Sequence, residues 1–215
     1  MCIRDRPEEQ ISFIHIAATL HDIGKICVPS EILTKPSALN NLEKAIIKTH
    51  CKVANDVLAN IEFPYPVAEV IYQHHERLDG SGYPRGLRGN EIALEARIIG
   101  VADVIDAMAS YRPYRPALGV DAAIEEIVKY RGITYDPDVV DACLTVYKKT
   151  ARTLIETNHR TVNYWPSSKR LGFLLNSFLR KLLCRCAPEL RLLQRLHQNH
   201  SSGPGGGRTD GSRGR

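Results

Sequence analysis

On four predicted helices the apolar face that points inward also carries histidine or aspartate. This pattern limits the folds open to the chain more than any other feature. Ile46 shares a helical face with His50, and Val70 shares one with His74, which His75 follows directly, because residues three or four apart lie on the same side of a helix. Burying one such group without a partner costs about 2–7 kcal/mol. The residues that point inward on these helices, and that therefore need a common partner, are His21, Asp22, His50, His74, His75 and Asp103.

A cluster of divalent cations is the simplest common partner for these side chains, since neutral imidazole and carboxylate are natural ligands for Fe, Mn and Zn. Each histidine taken alone is more often a hydrogen-bonded core residue, and Asp103 alone could instead pair with Arg97 or Arg112. The set as a whole is hard to explain by core packing, because His21 and Asp22 are adjacent and a second pair of imidazoles accompanies them. The pattern therefore predicts a metal site.

The rest of the first 150 residues is also helical in pattern, with short polar loops that contain glycine or proline. Long β-branched alternations and repeats of fixed period are absent from the sequence. We therefore predict an all-α fold. The predicted helices cover residues 8–25, 40–61, 67–76, 94–110, 121–130 and 137–149.

Two sequence signatures carry a family resemblance. Residues 21–25, HDIGK, resemble the H-D-x-G-K signature of the HD phosphohydrolase superfamily. Residues 74–84, HHERLDGSGYP, resemble the longer H-H-E-x-x-D-G-x-G-Y-P signature of its HD-GYP branch, which is far more specific than H-D alone. Residues 101–107 (VADVIDA) and 112–115 (RPYR) match the same branch in the same order. The chain is thus similar to HD-GYP domains from roughly Glu8 to Tyr147.

The resemblance implies an HD-domain helical bundle with a metal site at its centre and a metal-dependent phosphodiesterase activity. The expected reaction is hydrolysis of the bacterial second messenger cyclic di-GMP to linear pGpG, or further to GMP. Two or three divalent metal ions are implied, with iron and manganese the expected metals. By motif position, their ligands are His21, Asp22, His50, His74, His75 and Asp103.

The resemblance also implies roles for residues around the metal ligands. Asp22 is expected to bridge the metal ions, and Lys25 is expected to lie at the edge of the site as a second catalytic residue. Tyr83 lies in the loop that flanks the pocket, and Arg112 and Arg115 match positions that bind substrate phosphate. Guanidinium groups suit a phosphodiester because they pair with two oxygens at once. The alternatives are ordinary surface positions for the two arginines and, for Lys25, a charge at a helix end.

The start of the chain departs from the family pattern. Full HD-GYP domains carry a further ligand, a histidine and sometimes a glutamate, on a helix that precedes the H-D helix. Because 20 residues precede His21, we expect this first helix to be absent. A second hypothesis follows, a catalytically incomplete HD-GYP module that acts by ligand binding or protein interaction. A third hypothesis, another HD hydrolase such as a nucleotidase, is disfavoured by the G-Y-P loop.

Composition divides the chain into parts. We predict a leader without a recognisable pattern over 1–7, the HD-GYP domain over 8–150, a basic segment over 151–200 and a disordered Gly/Ser/Arg tail over 201–215. The first 150 residues hold 17 basic and 21 acidic side chains, whereas the remainder holds 12 and 3. The globular part therefore gives no electrostatic case for nucleic-acid binding.

The expected setting is the cytoplasm. The six cysteines are scattered without a C-x-x-C pair, which suits a reducing compartment. No transmembrane segment is predicted, because charged residues interrupt the apolar residues of 171–196. That segment is basic and amphipathic, so it is either a helix on a membrane surface or, as we expect, a solvated tail. The expected partners are cyclic di-GMP and an upstream receiver or other sensory domain.

Overall fold

The structure of the protein is a computed structural model that describes residues 6–110 and 117–158. Within those ranges the chain is helical, and its β contacts are two isolated bridges, Asp79 with Arg88 and Arg131 with Tyr135. The expected all-α fold is confirmed. The helices are α1 (Arg6–Leu20), α2 (Ser30–Leu33), α3 (Asn41–Lys48), α4 (His50–Leu58), α5 (Val67–Gln73), α6 (Leu94–Ala109), α7 (Val120–Lys129) and α8 (Pro137–Asn158), with 3-10 turns at Ile23–Cys27 and Gly89–Glu91.

Helix α6 lies at the centre of the described fold. Its Ile98, Ile99, Val101 and Ile105 are each at most 2% exposed, and helices α1, α5, α7 and α8 all pack against it. A helix that is apolar on nearly every side has to be surrounded by other elements. This central helix therefore carries Asp103 to the edge of the core, where its side chain is 18% exposed.

The first helix ends earlier than the sequence predicts. We expected it to continue to Lys25, but α1 ends at Leu20, and Ile23–Cys27 is a 3-10 turn. The reason is a close approach between two backbones. A Cβ atom built on Gly24 would lie 2.0 Å from the carbonyl oxygen of His50. The backbone of this turn therefore packs directly against the backbone of α4.

The predicted second helix is in fact two helices. Its start is confirmed, because Asn40 and Glu43 form a capping box in which each side chain accepts a hydrogen bond from the other residue's N–H at 2.8 Å. The helix then breaks at Thr49, whose backbone N–H and hydroxyl both donate to the Ile46 carbonyl. A hydroxyl that bonds to a nearby helix carbonyl favours such a break. The prediction of one continuous helix is wrong.

The other helix ends differ less from the prediction. Helix α5 ends at Gln73, so that His74 and His75 lie just beyond it rather than inside it. Helix α8 continues past the predicted end at Lys149 to Asn158. Within the described ranges, no helix is long and apolar enough to cross a membrane.

Some of the sequence predictions fall outside the described residues. These are the two substrate-binding candidates Arg112 and Arg115, most of the predicted leader, and the basic segment and tail beyond residue 158. The domain boundaries accordingly stay predictions.

A buried ion pair ties α6 to the start of α8. Arg97 donates to Asp136 Oδ2 at 2.6 Å, and the two side chains are 18% and 8% exposed. Asp136 also caps α8, since its Oδ1 accepts from the N–H groups of Asp138 and Val139 at 2.9 and 3.2 Å. Arg97 is therefore engaged by Asp136 and not by Asp103, the alternative raised by the sequence.

Replacing Asp136 with alanine is expected to lower the free energy of unfolding by about 3–5 kcal/mol, because it leaves a buried guanidinium unpaired and removes a helix cap. Urea unfolding followed by circular dichroism measures this loss. The matched control is Asp56→Ala, which breaks a pair with Lys52 whose side chains are 54% and 67% exposed and which should cost less than about 1 kcal/mol. Equal losses in the two variants would contradict a special role for the buried pair.

Candidate metal centre

Four regions of the fold bring the six predicted ligand residues to one place. They are the turn after α1 with His21 and Asp22, the start of α4 with His50, the turn after α5 with His74 and His75, and α6 with Asp103.

The nitrogen and oxygen atoms of these side chains face one another across short gaps. His21 Nε2 lies 3.3 Å from Asp22 Oδ2 and 3.8 Å from Asp103 Oδ1. Asp22 Oδ1 lies 3.6 Å from His50 Nε2, and Asp103 Oδ2 lies 3.9 Å from His75 Nδ1. Ligands at about 2.0–2.2 Å from a shared ion are themselves roughly 3–4 Å apart. The spacing is therefore that of ligands around common ions.

Three of the histidines are fixed by the same local hydrogen bond. Nδ1 of His21, His50 and His74 lies 2.7, 2.7 and 2.5 Å from the carbonyl oxygen three residues earlier. A carbonyl can only accept, so each Nδ1 carries a proton and donates it. Nε2 is then the nitrogen that each ring presents to the cluster. Metal-binding histidines in proteins are commonly held by such an outer hydrogen bond.

His74 carries a nitrogen that the described protein does not satisfy. The residue is fully buried, and its Nε2 has no hydrogen-bond partner among the described residues. Leaving such an atom unpaired costs about 1–3 kcal/mol. The residues present thus fit a divalent metal centre.

Two groups of potential ligand atoms share His74, and within each group the atoms lie within 4.8 Å of one another. The first group is His50, Cys51, His74 and His75, and the second is His21, Asp22 and His74.

Two carboxylates and two cations balance the charge of the cluster. Lys25 Nζ donates to Asp22 Oδ2 at 2.6 Å. Burial alone would lower the pKa of His21, but its hydrogen bonds with Asp103 and Asp22 outweigh burial and raise the pKa to about 10. Burial would raise the pKa of both carboxyl groups, yet contact with His21 holds both well below their usual range, and Lys25 adds to this effect at Asp22. Both aspartates are therefore ionised at neutral pH.

The other three histidines are uncharged at neutral pH. Burial lowers the pKa of His74 to about 4 and that of His75 to about 2. Burial also lowers the pKa of His50. Neutral imidazole is the form that ligates metal ions, so these side chains need lose no proton to bind one.

Tyr83 and a lysine lie at the edge of the cluster. The Tyr83 ring stacks on His75, with centroids 4.7 Å apart and planes at 28°. Lys48 Nζ lies 4.8 Å from the centre of the Tyr83 ring, within the range of a cation–π contact. Lys48 could not be singled out from the sequence, because an exposed lysine at the end of a helix has no special pattern. Its place two residues before His50 was the available signal.

The cluster also contains a cysteine that is not among the predicted ligands. Cys51 is buried, and its Sγ lies 3.5 Å from His50 Nε2. Burial raises the pKa of this thiol to about 12, and the negative charge of Asp22 adds to the shift. Its position next to His50 was the signal that could have drawn attention to it.

The loop that contains Tyr83 is held by Glu76. This glutamate is 5% exposed, and its two carboxylate oxygens accept hydrogen bonds from the N–H groups of Arg85 at 2.7 Å and Leu87 at 3.0 Å. Glu76 therefore supports the loop that places Tyr83 against His75.

Replacing Glu76 with glutamine is expected to lower the free energy of unfolding by about 1–3 kcal/mol, because an amide NH₂ cannot accept from a buried backbone N–H. Urea unfolding measures the change, and limited proteolysis reports whether the loop opens. Glu125→Gln, the same change at an exposed position of α7, is the control and should leave both readouts unchanged. A Glu76→Gln variant as stable as the control would contradict this role.

A family model described as the HD domain matches residues 3–139. The chain belongs to the HD domain family. The match takes in all four regions that supply the cluster, so the convergence of His and Asp side chains lies within the part of this HD domain that the family model defines.

Relatives of this HD domain are named as cyclic-dinucleotide phosphodiesterases. The chain is 45% identical over 139 residues to the cyclic di-GMP phosphodiesterase response regulator RpfG of Xanthomonas campestris, covering 64% of this chain and 37% of that protein. It is 43% identical over 141 residues to a cyclic di-GMP phosphodiesterase of Thermotoga maritima, covering 65% and 38%. It is 38% identical over 138 residues to the 3′3′-cGAMP-specific phosphodiesterase 3 of Vibrio cholerae, covering 64% and 29%. These matches confirm the resemblance to HD-GYP phosphodiesterases, and they span less than two fifths of each relative's length.

Proposed function

We propose that this HD domain is a metal-dependent phosphodiesterase that hydrolyses cyclic di-GMP, to pGpG or GMP, in bacterial second-messenger signalling. The observation that carries the proposal is the buried Nε2 of His74, which has no hydrogen-bond partner among the described residues. It lies in a cluster with two other neutral imidazoles, two ionised carboxylates and the protonated imidazole of His21, whose Nε2 proton a bound metal ion would displace. The names of the relatives supply the substrate class. Those at 45% and 43% identity are named for cyclic di-GMP, and one at 38% is named for 3′3′-cGAMP.

Asp22 is the proposed bridge between two metal ions. Its two oxygens face different partners, with Oδ2 3.3 Å from His21 Nε2 and Oδ1 3.6 Å from His50 Nε2. A carboxylate that presents one oxygen to each group of ligands supports this role.

Iron and manganese are the proposed metals, since imidazole suits iron and carboxylate suits manganese. The proposed ligands are His21, Asp22, His50, His74, His75 and Asp103.

The residues of the chain have separate tasks in the proposed reaction. Bound divalent cations would supply a water of lowered pKa and would stabilise charge on the phosphate oxygens. Asp22 is held in one orientation by Lys25, and Lys25 in turn brings a positive charge and proton donors to the edge of the site. Tyr83 lies at the edge of the cluster, where its ring stacks on His75. Arg112 and Arg115 stay predicted phosphate ligands.

Lys48 is a further proposed contact for the anionic substrate. It forms no ion pair within the described part of the chain, and it lies over Tyr83 at the edge of the cluster. An ammonium group at the edge of the cluster that no carboxylate of the described residues neutralises favours a substrate with two negatively charged phosphodiesters.

Replacing Lys48 with methionine is expected to raise the KM for cyclic di-GMP roughly 10- to 100-fold with little change in kcat, because a charge-assisted contact of about 1.5–3 kcal/mol is lost. Steady-state kinetics at constant ionic strength measure both constants. Lys44→Met, the same change at an exposed position of helix α3, is the control. An unchanged KM in Lys48→Met would remove this lysine from the substrate site.

The proposed setting is a bacterial signalling protein in the cytoplasm. The Xanthomonas relative is named a response regulator, which supports the predicted receiver domain upstream of the HD-GYP domain.

The proposed activity is tested by reconstituting the purified protein anaerobically with Fe(II) or Mn(II) and following cyclic di-GMP and 3′3′-cGAMP by liquid chromatography. Conversion of cyclic di-GMP to pGpG or GMP that stops on chelation supports the proposal. Faster turnover of 3′3′-cGAMP would reassign the substrate. Metal binding without turnover of either dinucleotide would contradict the proposed enzyme and favour a binding module.

A further inference from the structure

The cluster contains a thiol that neither family signature assigns. Cys51 is fully buried, and its Sγ lies 3.5 Å from Nε2 of His50. Potential ligand atoms of Cys51, His50, His74 and His75 lie within 4.8 Å of one another. These four side chains thus form a compact set of one sulfur and three nitrogens.

A buried cysteine is most often a small apolar residue in a hydrophobic core, and the chain offers a direct comparison. Cys143, on α8, is equally buried and belongs to the apolar core. Cys51 is equally buried, but it lies outside the contiguous apolar cluster that contains Cys143. Its polar neighbour is an imidazole instead. Packing in the apolar cluster therefore accounts for the burial of Cys143 but not for the position of Cys51 beside an imidazole.

A second observation points to a ligand at the same place. His74, a member of the same four-residue set, is fully buried and has an Nε2 without a hydrogen-bond partner among the described residues. Its Nδ1 is engaged with the Ile71 carbonyl at 2.5 Å, so the ring presents Nε2 with its lone pair to the cluster. A cation beside Cys51 and His74 would satisfy this nitrogen.

We propose that Cys51 is a thiolate ligand of one metal ion, together with His50, His74 and His75. The inference rests on the proposed metal centre and deepens it. On ligation the S–H bond is replaced by a sulfur–metal bond, and the thiol proton leaves to solvent. Thiolate is a soft ligand, and Mn²⁺ has the lowest affinity for a given site among the divalent ions from Mn²⁺ to Zn²⁺. This donor set therefore favours iron over manganese.

Cobalt(II) is a suitable probe, because a thiolate ligand gives a near-ultraviolet charge-transfer band that nitrogen and oxygen ligands do not give, whereas visible d–d bands appear with any of these ligands. The parent protein for the test is the full chain with the cysteines outside the described residues replaced by serine, namely Cys2, Cys184 and Cys186. Cobalt is titrated into this parent, into Cys51→Ala and into the matched control Cys143→Ala, with helicity checked by circular dichroism.

The expected result is a charge-transfer band in the parent and in Cys143→Ala and its loss in Cys51→Ala, with d–d bands in all three. We also expect cobalt affinity to fall at least about 10-fold in Cys51→Ala. Bands of the d–d type without a charge-transfer band in the parent, or a charge-transfer band that survives in Cys51→Ala, would overturn the inference and leave the metal centre intact. No cobalt binding at all would overturn the metal centre itself.

Cys51→Ser replaces Cys51→Ala if the alanine variant does not fold. If neither variant folds, X-ray absorption of the cobalt-loaded parent decides the question. A sulfur shell at about 2.3 Å that persists in Cys143→Ala supports the thiolate ligand, and a first shell of nitrogen and oxygen alone overturns it.

Discussion

Replacing Asp22 with alanine is expected to reduce hydrolysis of cyclic di-GMP by at least about 10²–10³-fold, on the order of the loss when a group that stabilises the transition state is removed. The variant loses the carboxylate that faces both His21 and His50, so metal content is expected to fall together with turnover. The measurements are steady-state rates and metal analysis of the same samples.

Asp56→Ala is the matched control for this variant, because Asp56 is an exposed aspartate of α4 whose partner, Lys52, is also exposed. It should retain the metal content and rate of the unaltered protein. Full activity in Asp22→Ala, or a metal content equal to that of the control, would show that the cluster does not depend on this carboxylate.

Replacing Gly24 with alanine is expected to separate Asp22 from His50. The new Cβ would lie 2.0 Å from the His50 carbonyl oxygen and 2.8 Å from the Ala54 nitrogen, and backbone atoms cannot give way as a flexible side chain would. We expect a loss of stability of roughly 1–3 kcal/mol or more and a fall in metal content, because the turn and α4 must move apart. Urea unfolding and metal analysis measure the two effects.

Gly132→Ala is the matched control, because it adds backbone strain without a steric clash against another element. Gly132 has a φ of +75°, but a Cβ there would meet nothing within 4 Å. The control should therefore lose about 1 kcal/mol through backbone strain and keep its metal. If Gly24→Ala binds metal as well as Gly132→Ala does, the close approach of the turn to α4 is not needed to assemble the site.

The inward direction of the site residues could be predicted because it depends on local spacing. His50 and His74 follow apolar residues at helical intervals, and the structure buries both completely. The capping box of Asn40 is likewise contained in a few consecutive residues. The family signatures then indicated the phosphodiesterase chemistry that we propose for this cluster.

Features that depend on contacts between distant parts of the chain could not be predicted. The early end of α1 follows from the packing of Gly24 on α4, about 26 residues away, and helical periodicity carries no information about that contact. The same holds for Cys51 and Lys48, whose neighbours in space are histidine and tyrosine rings from other elements. Arg112 and Arg115 lie outside the described residues and stay predictions.

The central claim, a catalytic metal centre built from these histidines and aspartates, is tested most directly by metal content and turnover measured on one anaerobically reconstituted sample. We expect about two or three Fe or Mn ions per chain and hydrolysis of cyclic di-GMP that is lost on chelation and restored by the metal. Less than about one ion per chain, together with no turnover of cyclic di-GMP, would contradict it.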